Sequence, residues 1–438
     1  MAESREINNA KIWDVIVIGG GPSGMMAAGR AAERGLKVLL LEKNDTLGKK
    51  LLITGGGRCN VTNAELDDRA LLAKFKEDGK YLFSAFSKWS VEESLDFFHL
   101  RDMATKIENE KRVFPITDKA ESVWKVLVEY MKKGGVEIMS NAEVIGLKIN
   151  NGDLGDKDSL GTKTVFVVLK NGTELHAKSF ILATGGKSRP ETGSTGDGFN
   201  WLKKLGHTII EPQAVLVPVA LKDEWIKKLQ GATFQDIRLT LFQNGQKQIT
   251  QQESSAGKKN GKLLFTHFGI SGPTVLNMSQ DIGELLKYGD VVIGLDLFPD
   301  YGHDKINTML MELFAKENKK KLKNALATLV NANMAAAILD LAGIDQDITN
   351  SNVTREQRIK LIAILKNVPL NVKELLGTDK AIVTSGGVKL DEVDFKTMQS
   401  RLFPNLYLVG DILNIDRPSG GYSLQLCWTT GFVAGENA

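Results

Sequence analysis

An apolar run that leads straight into three spaced glycines constrains the fold of this chain more than any other feature. Residues 14–18 (DVIVI) predict a buried parallel strand, and Ser23 to Arg34 predict a helix built largely from small residues. Gly19, Gly21 and Gly24 lie at this junction with the spacing Gly-x-Gly-x-x-Gly. Strand, glycine turn and helix in this order predict the first part of a β-α-β unit.

The second strand of this unit ends in a carboxylate. Val38 to Leu41 predict another buried strand, and Glu42 follows it directly. Gly19 permits a tight turn, Gly21 lets the backbone approach a pyrophosphate, and Gly24 allows the helix to pack closely on the strand. The start of the helix offers free N–H groups to phosphates, and Glu42 can accept a hydrogen bond from a ribose hydroxyl. The pattern predicts a bound dinucleotide, and the carboxylate disfavours one with a 2′-phosphate.

Size and composition bound the alternatives. The 438 residues suggest two or three domains, and a net charge of +3 gives no reason to expect nucleic acid or an anionic membrane as a partner. Cys59 and Cys427 are the two cysteines, so the chain has neither a disulfide framework nor a CxxC dithiol. The polar start does not resemble a signal peptide, and no apolar stretch reaches 18 residues. We therefore expect a cytoplasmic protein without a membrane-spanning segment.

The pattern of elements predicts that the dinucleotide fold is split by a long insertion. The predictions along the chain are mostly helix over 64–133, strands over 136–149 and 164–169 with a polar loop between them, a strand over 179–183, strands over 208–270, helices over 303–368, strands over 381–384 and 406–409, and a last helix over 422–436. The change of pattern places the insertion between about residues 190 and 375.

Glycine-rich segments far from the fingerprint favour FAD over NAD. Residues 55–60 (GGGRCN) offer a flexible backbone with a positive charge beside it, and residues 183–186 (ATGG) repeat the order of strand and glycines. Gly410 and Asp411 end a strand where a carboxylate suits a ribityl chain. Residues 420–423 (GGYS) open the last helix, whose N-terminal dipole would favour negative charge on a reduced flavin. NAD alone would not need this second set.

These blocks together resemble one bacterial family, the HI-type conserved flavoproteins, which are also described as BaiN-like or aminoacetone-oxidase-like FAD-binding enzymes. Three further blocks are similar to that family, at residues 193–198 (GSTGDG), 265–273 (FTHFGISGP) and 383–388 (VTSGGV). The resemblance extends from about residue 12 to 435. It implies an α/β fold in which a Rossmann-like FAD-binding domain is interrupted by a β-barrel-like domain that carries a small helical domain.

The resemblance also implies bounds and binding residues. The expected domains are 1–190 for the first part of the FAD-binding domain, 191–300 for a β-rich insertion, 301–365 for a helical insertion, and 366–438 for the return to the FAD-binding domain. The residues predicted to bind FAD non-covalently are Gly19, Gly21, Pro22, Ser23, Gly24, Glu42, Lys43, Lys50, Gly56, Gly57, Arg58, Cys59, Asn60, Val144, Ala183, Thr184, Gly185, Gly186, Gly410, Asp411, Gly420, Gly421, Tyr422 and Ser423.

One region departs from the pattern that the resemblance implies. The family usually has a short Asp-Gly-containing stretch before its GGY block, and often an Asn after it. Here the stretch is residues 414–419 (NIDRPS), and Ser423 follows Tyr422. Because this region borders the expected flavin ring, the departure bears on substrate identity and leaves FAD binding intact.

The residue that moves a proton is not fixed by the sequence. Tyr422 and His267 are the candidates, although a buried helix-capping Tyr and a loop His that bonds to backbone are the alternatives. Cys59 is better explained as a buried structural thiol. Arg58 could hold the cofactor or an anionic substrate, and we favour the cofactor. The five histidines lack paired ligand spacing, so we expect no metal.

Three functions remain open. The main prediction is an FAD-dependent oxidoreductase that passes hydride between flavin N5 and a small organic substrate, with NAD(P)H or oxygen as the second redox partner. The alternatives are an FAD-dependent RNA-modifying protein and a flavin redox protein without turnover. Any NAD(P)H is expected to bind transiently because the chain has no second complete glycine fingerprint. The sequence leaves the substrate and the oligomeric state open.

Overall fold

The computed structural model describes residues 13–150, 163–248, 261–377 and 383–438. Its internal contacts divide the chain into two compact units, one formed by residues 1–214 with 381–438 and one formed by residues 215–380. The chain therefore leaves the first unit and returns to it, and the predicted interrupted Rossmann-like fold is confirmed. The finer domain bounds at 190, 300 and 365 stay predictions.

The first unit contains the first part of the chain. Its elements are β1 (Trp13–Ile18), α1 (Pro22–Glu33), β2 (Val38–Leu41), α2 (Lys49–Ile53), β3 (Thr62–Asn63), α3 (Asp68–Leu72), α4 (Gly79–Phe86), α5 (Val91–His99), β4 (Thr105–Glu108), β5 (Arg112–Pro115), α6 (Ala120–Gly134), β6 (Glu137–Met139), β7 (Val144–Asn150), β8 (Thr164–Leu169), β9 (Glu174–Leu175), β10 (Ala177–Leu182), α7 (Asp197–Lys204) and β11 (Ile209–Val215).

The second unit follows, and the chain then returns. The second unit has β12 (Val219–Leu221), β13 (Thr233–Gln243), β14 (Gln246–Lys247), β15 (Gly261–Phe265), β16 (Gly269–Ser271), α8 (Pro273–Leu286), β17 (Val291–Asp296), α9 (His303–Lys316), α10 (Leu322–Leu326), α11 (Ala332–Ala342), α12 (Arg355–Lys366) and β18 (Val368–Leu375). The return to the first unit has β19 (Val383–Val388), β20 (Val393–Asp394), β21 (Gln399–Ser400), β22 (Leu406–Leu408) and α13 (Tyr422–Asn437).

A seven-stranded sheet forms the centre of the first unit, in the order β20-β21-β22-β10-β1-β2-β6. The strands from β22 to β6 run parallel, and β20 and β21 add an antiparallel edge. The residues of β2 and most of those of β1 are buried, as expected for strands covered on both faces. The carboxyl ends of β2, β1, β10 and β22 lie side by side, where α/β sheets bind ligands.

The first and last helices of the chain pack closely through glycines. An added Cβ on Gly431 would lie 2.5 Å from the carbonyl oxygen of Ser23, and one on Gly435 would lie 2.5 Å from that of Ala27. Only glycine permits such an approach, since a side chain would overlap the backbone of α1. The two helices run parallel, and α13 meets the start of α1 nine residues after its own first residue, so the first turns of α13 extend beyond the start of α1.

A closed barrel is the main feature of the second unit. Its sheet has the order β14-β13-β15-β16-β12-β18-β17, and β13 also pairs with β17, so six strands close into a barrel. The barrel strands and the helices α9 to α12 share one apolar core, to which Leu241, Ile293, Leu310 and Leu361 contribute. The helix-rich segment predicted over 303–368 corresponds to these helices.

The prediction of mostly helix over 64–133 was incomplete. It missed β4 and β5, which pair with β3 in an antiparallel sheet of the order β3-β5-β4. β4 (TKIE) is short and partly exposed and has no apolar alternation, so only its tertiary pairing makes it a strand. The predicted loop over 150–163 and the turn at 257–261 lie almost wholly outside the described residues. Within the described residues, no helix is long and apolar enough to cross a membrane.

Candidate cofactor-binding site

A cavity lies at the carboxyl edge of the parallel sheet in the first unit. It encloses about 1160 Å³, including space open to solvent, which is ample for a large ligand. Residues from the ends of β1, β2, β10 and β22 line it, together with α2 and the first turns of α1 and α13. The predicted FAD-binding residues in its lining are Gly19, Gly21, Pro22, Ser23, Glu42, Lys43, Lys50, Val144, Ala183, Thr184, Gly185, Asp411 and Ser423.

The glycine turn has the geometry that its sequence implies. Gly19 has φ +103°, and an added Cβ would lie 2.5 Å from the carbonyl oxygen of Ala183. A Cβ on Gly24 would lie 1.9 Å from the carbonyl oxygen of Gly19. A Cβ on Gly21 would meet no atom within 4 Å, so any side chain there would project into the cavity. Gly19 and Gly24 allow the turn to pack closely, and Gly21 leaves the cavity free of a side chain.

Glu42 is buried and held rigidly at one end of the cavity. Its Oε2 accepts a hydrogen bond from the backbone N–H of Gly20 at 2.8 Å, within the glycine turn. Its Oε1 accepts from the backbone N–H of Asn44 at 2.8 Å and from the Asn44 side-chain amide at 2.7 Å. These three donors orient the carboxylate at the carboxyl end of β2.

A glycine-rich loop after β10 covers the same end of the cavity. Lys43 Nζ lies 2.7 Å from Thr195 Oγ1 and 2.9 Å from Asp197 Oδ2, and the Asn44 amide donates to the Thr192 carbonyl oxygen at 3.0 Å. Sequence reasoning did not assign roles to Asn44 or to the loop. The signal was present in the GSTGDG block over 193–198, which the family resemblance included.

Apolar side chains form another part of the wall. Ala142, Val144 and Trp201 line the cavity and are buried. Of these, only Val144 was predicted. Apolar side chains beside a fixed carboxylate suit a flat base attached to a ribose.

Opposite charges meet at the other end of the cavity. Glu42 and Asp411 follow β2 and β22, which are three strand spacings apart, or about 14 Å. Lys50 Nζ donates to Ser188 Oγ at 2.6 Å and lies 3.5 Å from Asp411 Oδ2. Arg417 pairs with the other oxygen of Asp411. Burial raises the pKa of Asp411, but the charges of Arg417 and Lys50 outweigh it and hold that pKa below its usual value.

The N-terminus of α13 is reached through a tight glycine cap. Gly421 has φ +101°, and an added Cβ would lie 2.3 Å from the backbone carbon of Thr62. Asn63 donates from its side-chain amide to the carbonyl oxygen of Gly420 at 3.1 Å. Ser423 and Leu424 line the cavity from the first turn of the helix. Gly420, Gly421 and Tyr422 do not line it.

The GGGRCN loop forms a run of left-handed backbone. Gly55, Gly56, Gly57 and Cys59 have φ values of +57°, +68°, +87° and +59°. A Cβ on Gly56 or Gly57 would meet no atom within 4 Å. The predicted binding residues outside the lining of the cavity are Gly24, Gly56, Gly57, Arg58, Cys59, Asn60, Gly186, Gly410, Gly420, Gly421 and Tyr422. Their roles toward FAD stay predictions.

Arg58 is engaged by carboxylates of the protein itself. Its Nη2 lies 2.5 Å from Glu108 Oε1 and 2.5 Å from Asp118 Oδ1, and its guanidinium stacks over Phe114 at 4.1 Å. The two hydrogen-bonded carboxylates raise the pKa of Arg58 further above its usual range. Two carboxylates beside one arginine leave it little net charge to offer an anion.

Both cysteines are buried thiols. Cys59 is fully buried, and burial raises its pKa to about 12; burial likewise raises the pKa of Cys427 to about 12. Neither forms a thiolate near neutral pH, so neither is a redox nucleophile. Cys427 lines the cavity near Ser23.

Two buried polar atoms test whether an FAD fits these residues. Thr184 Oγ1 lies in the lining of the cavity and has no hydrogen-bond partner among the described residues, and Asn60 Oδ1 likewise has none. A buried polar atom without a partner is costly, and a polar ligand in the cavity would relieve that cost at Thr184. Together with the space over Gly21 and the fixed Glu42, the residues present fit an extended dinucleotide.

The remaining predicted candidates lie elsewhere. His267 belongs to the second unit, on the turn between β15 and β16, and its role stays a prediction. In the described part of the chain, no group of three or more His, Cys, Asp and Glu side chains could hold a metal ion.

The interrupted parallel sheet and the cavity at its carboxyl edge define a dinucleotide-binding protein of the Rossmann type. The family model described as the HI0933-like protein Rossmann domain matches residues 13–437. The chain therefore belongs to this family, and it is an FAD-dependent oxidoreductase.

Two relatives match over nearly their whole length. The chain is 29% identical over 425 residues to the 3-dehydro-bile acid delta(4,6)-reductase of Clostridium scindens, covering 96% of this chain and 98% of the relative. It is 28% identical over 429 residues to the ribosomal RNA dihydrouridine synthase of Escherichia coli, covering 97% and 98%. The solved 3-ketosteroid delta1-dehydrogenase of Sterolibacterium denitrificans shares the fold, with a TM-score of 0.52 and 14% identity over 97% of this chain and 99% of that one.

Proposed function

We propose that this protein is an FAD-dependent reductase that adds hydrogen across a carbon–carbon double bond conjugated to a carbonyl group of a small organic substrate. The observation that carries the proposal is the full-length similarity to two enzymes whose names describe such reductions. One reduces ring double bonds of a keto bile acid, and the other saturates the ring of uridine. A polarised double bond is the feature that these substrates share.

The chain's own residues support hydride transfer by the cofactor rather than by thiols. FAD, when bound, supplies the hydride at N5. Cys59 and Cys427 are the two cysteines of the sequence and form no CxxC pair, so the CxxC dithiol of a disulfide reductase is absent. Burial also raises the pKa of each thiol to about 12. Glu42 and the glycine turn would hold the adenosine and pyrophosphate, while Lys50, Asp411 and Ser423 would surround the other end of the dinucleotide.

A reduction of this kind also needs a proton at the second carbon. Tyr422 is the first residue of α13 and precedes Ser423, which lines the cavity. Burial raises the pKa of its phenol to about 12, so the phenol carries its proton at neutral pH. Its ring packs edge-on against Phe75, with centroids 6.0 Å apart. Tyr422 is therefore the first proton donor to test, and His267 is the second.

Anaerobic reoxidation tests the activity. The protein would be photoreduced without oxygen and mixed in a stopped-flow instrument with a cyclic enone, a matched saturated ketone, a small amine and oxygen. The proposal expects the enone to restore the oxidised flavin spectrum and to yield the saturated product, with no effect of the saturated ketone. If oxygen reoxidised the flavin and the enone did not, the result would contradict the proposed reductase activity.

The source of electrons can be tested separately. We propose that NADH or NADPH reduces the flavin in a transient complex, since the sequence has no second complete glycine fingerprint. Mixing each nucleotide with the oxidised protein should bleach the flavin without a stable complex. No bleaching with either nucleotide would contradict this proposal.

A uridine in ribosomal RNA is the second candidate substrate, because the relative from Escherichia coli is a ribosomal RNA dihydrouridine synthase. The net charge of +3 gives little general affinity for RNA, so recognition would depend on a local surface. The discriminating assay incubates the reduced protein with unmodified ribosomal RNA, with free uridine and with the enone. If mass spectrometry found dihydrouridine in the RNA and no reduction of free uridine or of the enone, the substrate would be RNA and not a small molecule.

A further inference from the structure

The stretch over 414–419 and Ser423, which together depart from the family resemblance, are in direct contact through Arg417. Arg417, in the stretch before the GGY block, donates from Nε to the hydroxyl of Ser423 at 3.0 Å. It also donates from Nη1 to the carbonyl oxygen of Ile415 at 2.7 Å and pairs through Nη2 with Asp411. Its side chain has no solvent exposure. All three donor nitrogens of this guanidinium are therefore engaged and fixed.

The contacts of Arg417 join it to the lining of the cavity. Asp411 and Ser423 both line the cavity, and Arg417 lies directly behind them. Lys50, also in the lining, lies 3.5 Å from the second oxygen of Asp411. Two cations thus share one carboxylate, and the contacts of these three groups within the described residues include no second carboxylate. The three groups carry a net charge of about +1, with Arg417 buried and Lys50 and Asp411 partly exposed to the cavity, so an anion in the cavity would be favoured beside them.

The position of the cluster identifies the part of the dinucleotide that it would face. Glu42 marks the ribose end of the cavity at β2, and Asp411 lies three strands away at the end of β22. Ser423 belongs to the first turn of α13, whose helix dipole adds partial positive charge at the same place. In an extended dinucleotide bound at Glu42 by its adenosine, the flavin would lie at this opposite end.

We propose that Arg417 is a positioning residue that would tune the flavin: through Asp411 and Ser423 it would place positive charge at the flavin end of the cavity and raise the reduction potential of the bound FAD. The inference rests on the proposed function. Reduction adds negative charge to the flavin ring, so a nearby positive charge would stabilise the reduced form more than the oxidised form. A higher reduction potential favours hydride transfer from a reductant to the flavin.

The test is the midpoint potential of the flavin in Arg417→Met and Arg417→Lys, measured by equilibration with reference dyes. Arg417→Met should retain FAD and lower the midpoint potential by at least about 30 mV, which corresponds to a tenfold loss of relative stabilisation in a two-electron couple. Arg417→Lys, which keeps the charge and loses the three-way geometry, should fall between Arg417→Met and the parent. The visible absorption bands of the flavin should shift in the same order.

Arg34→Met is the matched control. Arg34 donates to the carbonyl oxygens of Gly435 and Ala438 at the C-terminal end of α13, away from the cavity. Its removal should leave the potential unchanged. If Arg417→Met does not fold, Arg417→Gln tests the proposal, because it removes the charge and keeps a side chain that can donate hydrogen bonds. An unchanged midpoint potential in Arg417→Gln would overturn the proposal.

Two other outcomes would also overturn the proposal. Weaker FAD binding in Arg417→Met with an unchanged potential would place the charge at the pyrophosphate instead of the flavin. A midpoint potential in Arg417→Met equal to that in Arg34→Met would show that Arg417 does not tune the flavin. Neither result touches the proposed reductase activity, which fails only in the substrate and reoxidation assays.

Discussion

Gly431 in the last helix lies so close to Ser23 in the first helix that an added Cβ would be 2.5 Å from the Ser23 carbonyl oxygen. The contact joins residues 408 positions apart in the chain and fixes the start of α13 at the cavity. Ser23 lies in the first turn of α1 and Ser423 in the first turn of α13, and both line the same cavity. The packing of these two helices therefore sets the positions of Ser23 and Ser423 in the cavity relative to each other.

Gly431→Val should weaken both the fold and the cofactor site. The branched side chain would force α1 and α13 apart, at a cost of about 1–3 kcal/mol in the free energy of unfolding. Because the N-terminus of α13 would move, FAD affinity should fall as well. Denaturant unfolding and FAD titration of the apoprotein measure the two effects. Gly146→Val is the control, since a Cβ at Gly146 meets no atom within 4 Å; a Gly431→Val variant as stable as this control would contradict the packing argument.

Gly21→Val should abolish FAD binding without unfolding the protein. Gly21 has φ −79°, which a valine can adopt, and its added side chain would project into the cavity rather than into protein. The purified variant should be colourless, and its apoprotein should melt at nearly the temperature of the parent apoprotein. Stoichiometric flavin in the purified variant would show that the pyrophosphate does not cross this turn.

Thr184→Val should have opposite effects on the apoprotein and on the complex. The variant removes a buried hydroxyl that has no partner among the described residues, so the apoprotein should be unchanged or slightly more stable. If the hydroxyl bonds to FAD, the variant should bind FAD about fivefold to tenfold more weakly, as the loss of about 1 kcal/mol implies. Isothermal titration measures the affinity, and Thr184→Ser should restore it. Equal affinity in both variants would remove Thr184 from the FAD contacts.

His207 should make the fold less stable as the pH falls. Its ring is buried, with Nδ1 2.8 Å from Glu392 Oε2 and Nε2 3.0 Å from Ser400 Oγ. Burial lowers its pKa below the usual 6.5 by more than Glu392 raises it. The unfolded chain therefore binds a proton more readily than the folded chain, and stability is lost as the pH drops below about 6.5.

The His207→Gln variant isolates this effect. Between pH 7 and pH 5 the melting temperature of the parent should fall further than that of His207→Gln, which cannot titrate. Parallel curves for the two proteins would show that the imidazole has the same pKa in the folded and unfolded chain.

The parts of the fold that follow local patterns were predictable from the sequence. Short apolar runs and the glycines beside them predicted the strand before Gly19, the strand that ends at Glu42 and the final helix. β4 was missed because its residues show no strand pattern of their own, and β5 because it has only four residues; β5 pairs with both β3 and β4.

The side-chain partners within the site could not be read from local sequence. Arg58 was expected to face the cofactor, yet in the structure Glu108 and Asp118 engage it from 50 and 60 residues away. The contact of Arg417 with Asp411 and Ser423 depends on the turn between β22 and α13, which no periodicity specifies. Asn44 was missed although it follows Lys43 directly, because its role comes from hydrogen bonds to Glu42 and to the distant Thr192.

The central claim is that the cavity at the carboxyl edge of the sheet binds one FAD per chain. The direct measurement is the visible absorption spectrum of the freshly purified protein, followed by titration of the stripped apoprotein with FAD. The account predicts the bands of oxidised flavin and saturation at one FAD per chain, lost in Gly21→Val. A colourless protein that takes up no FAD, or a Gly21→Val variant that takes up FAD as the parent does, would contradict it.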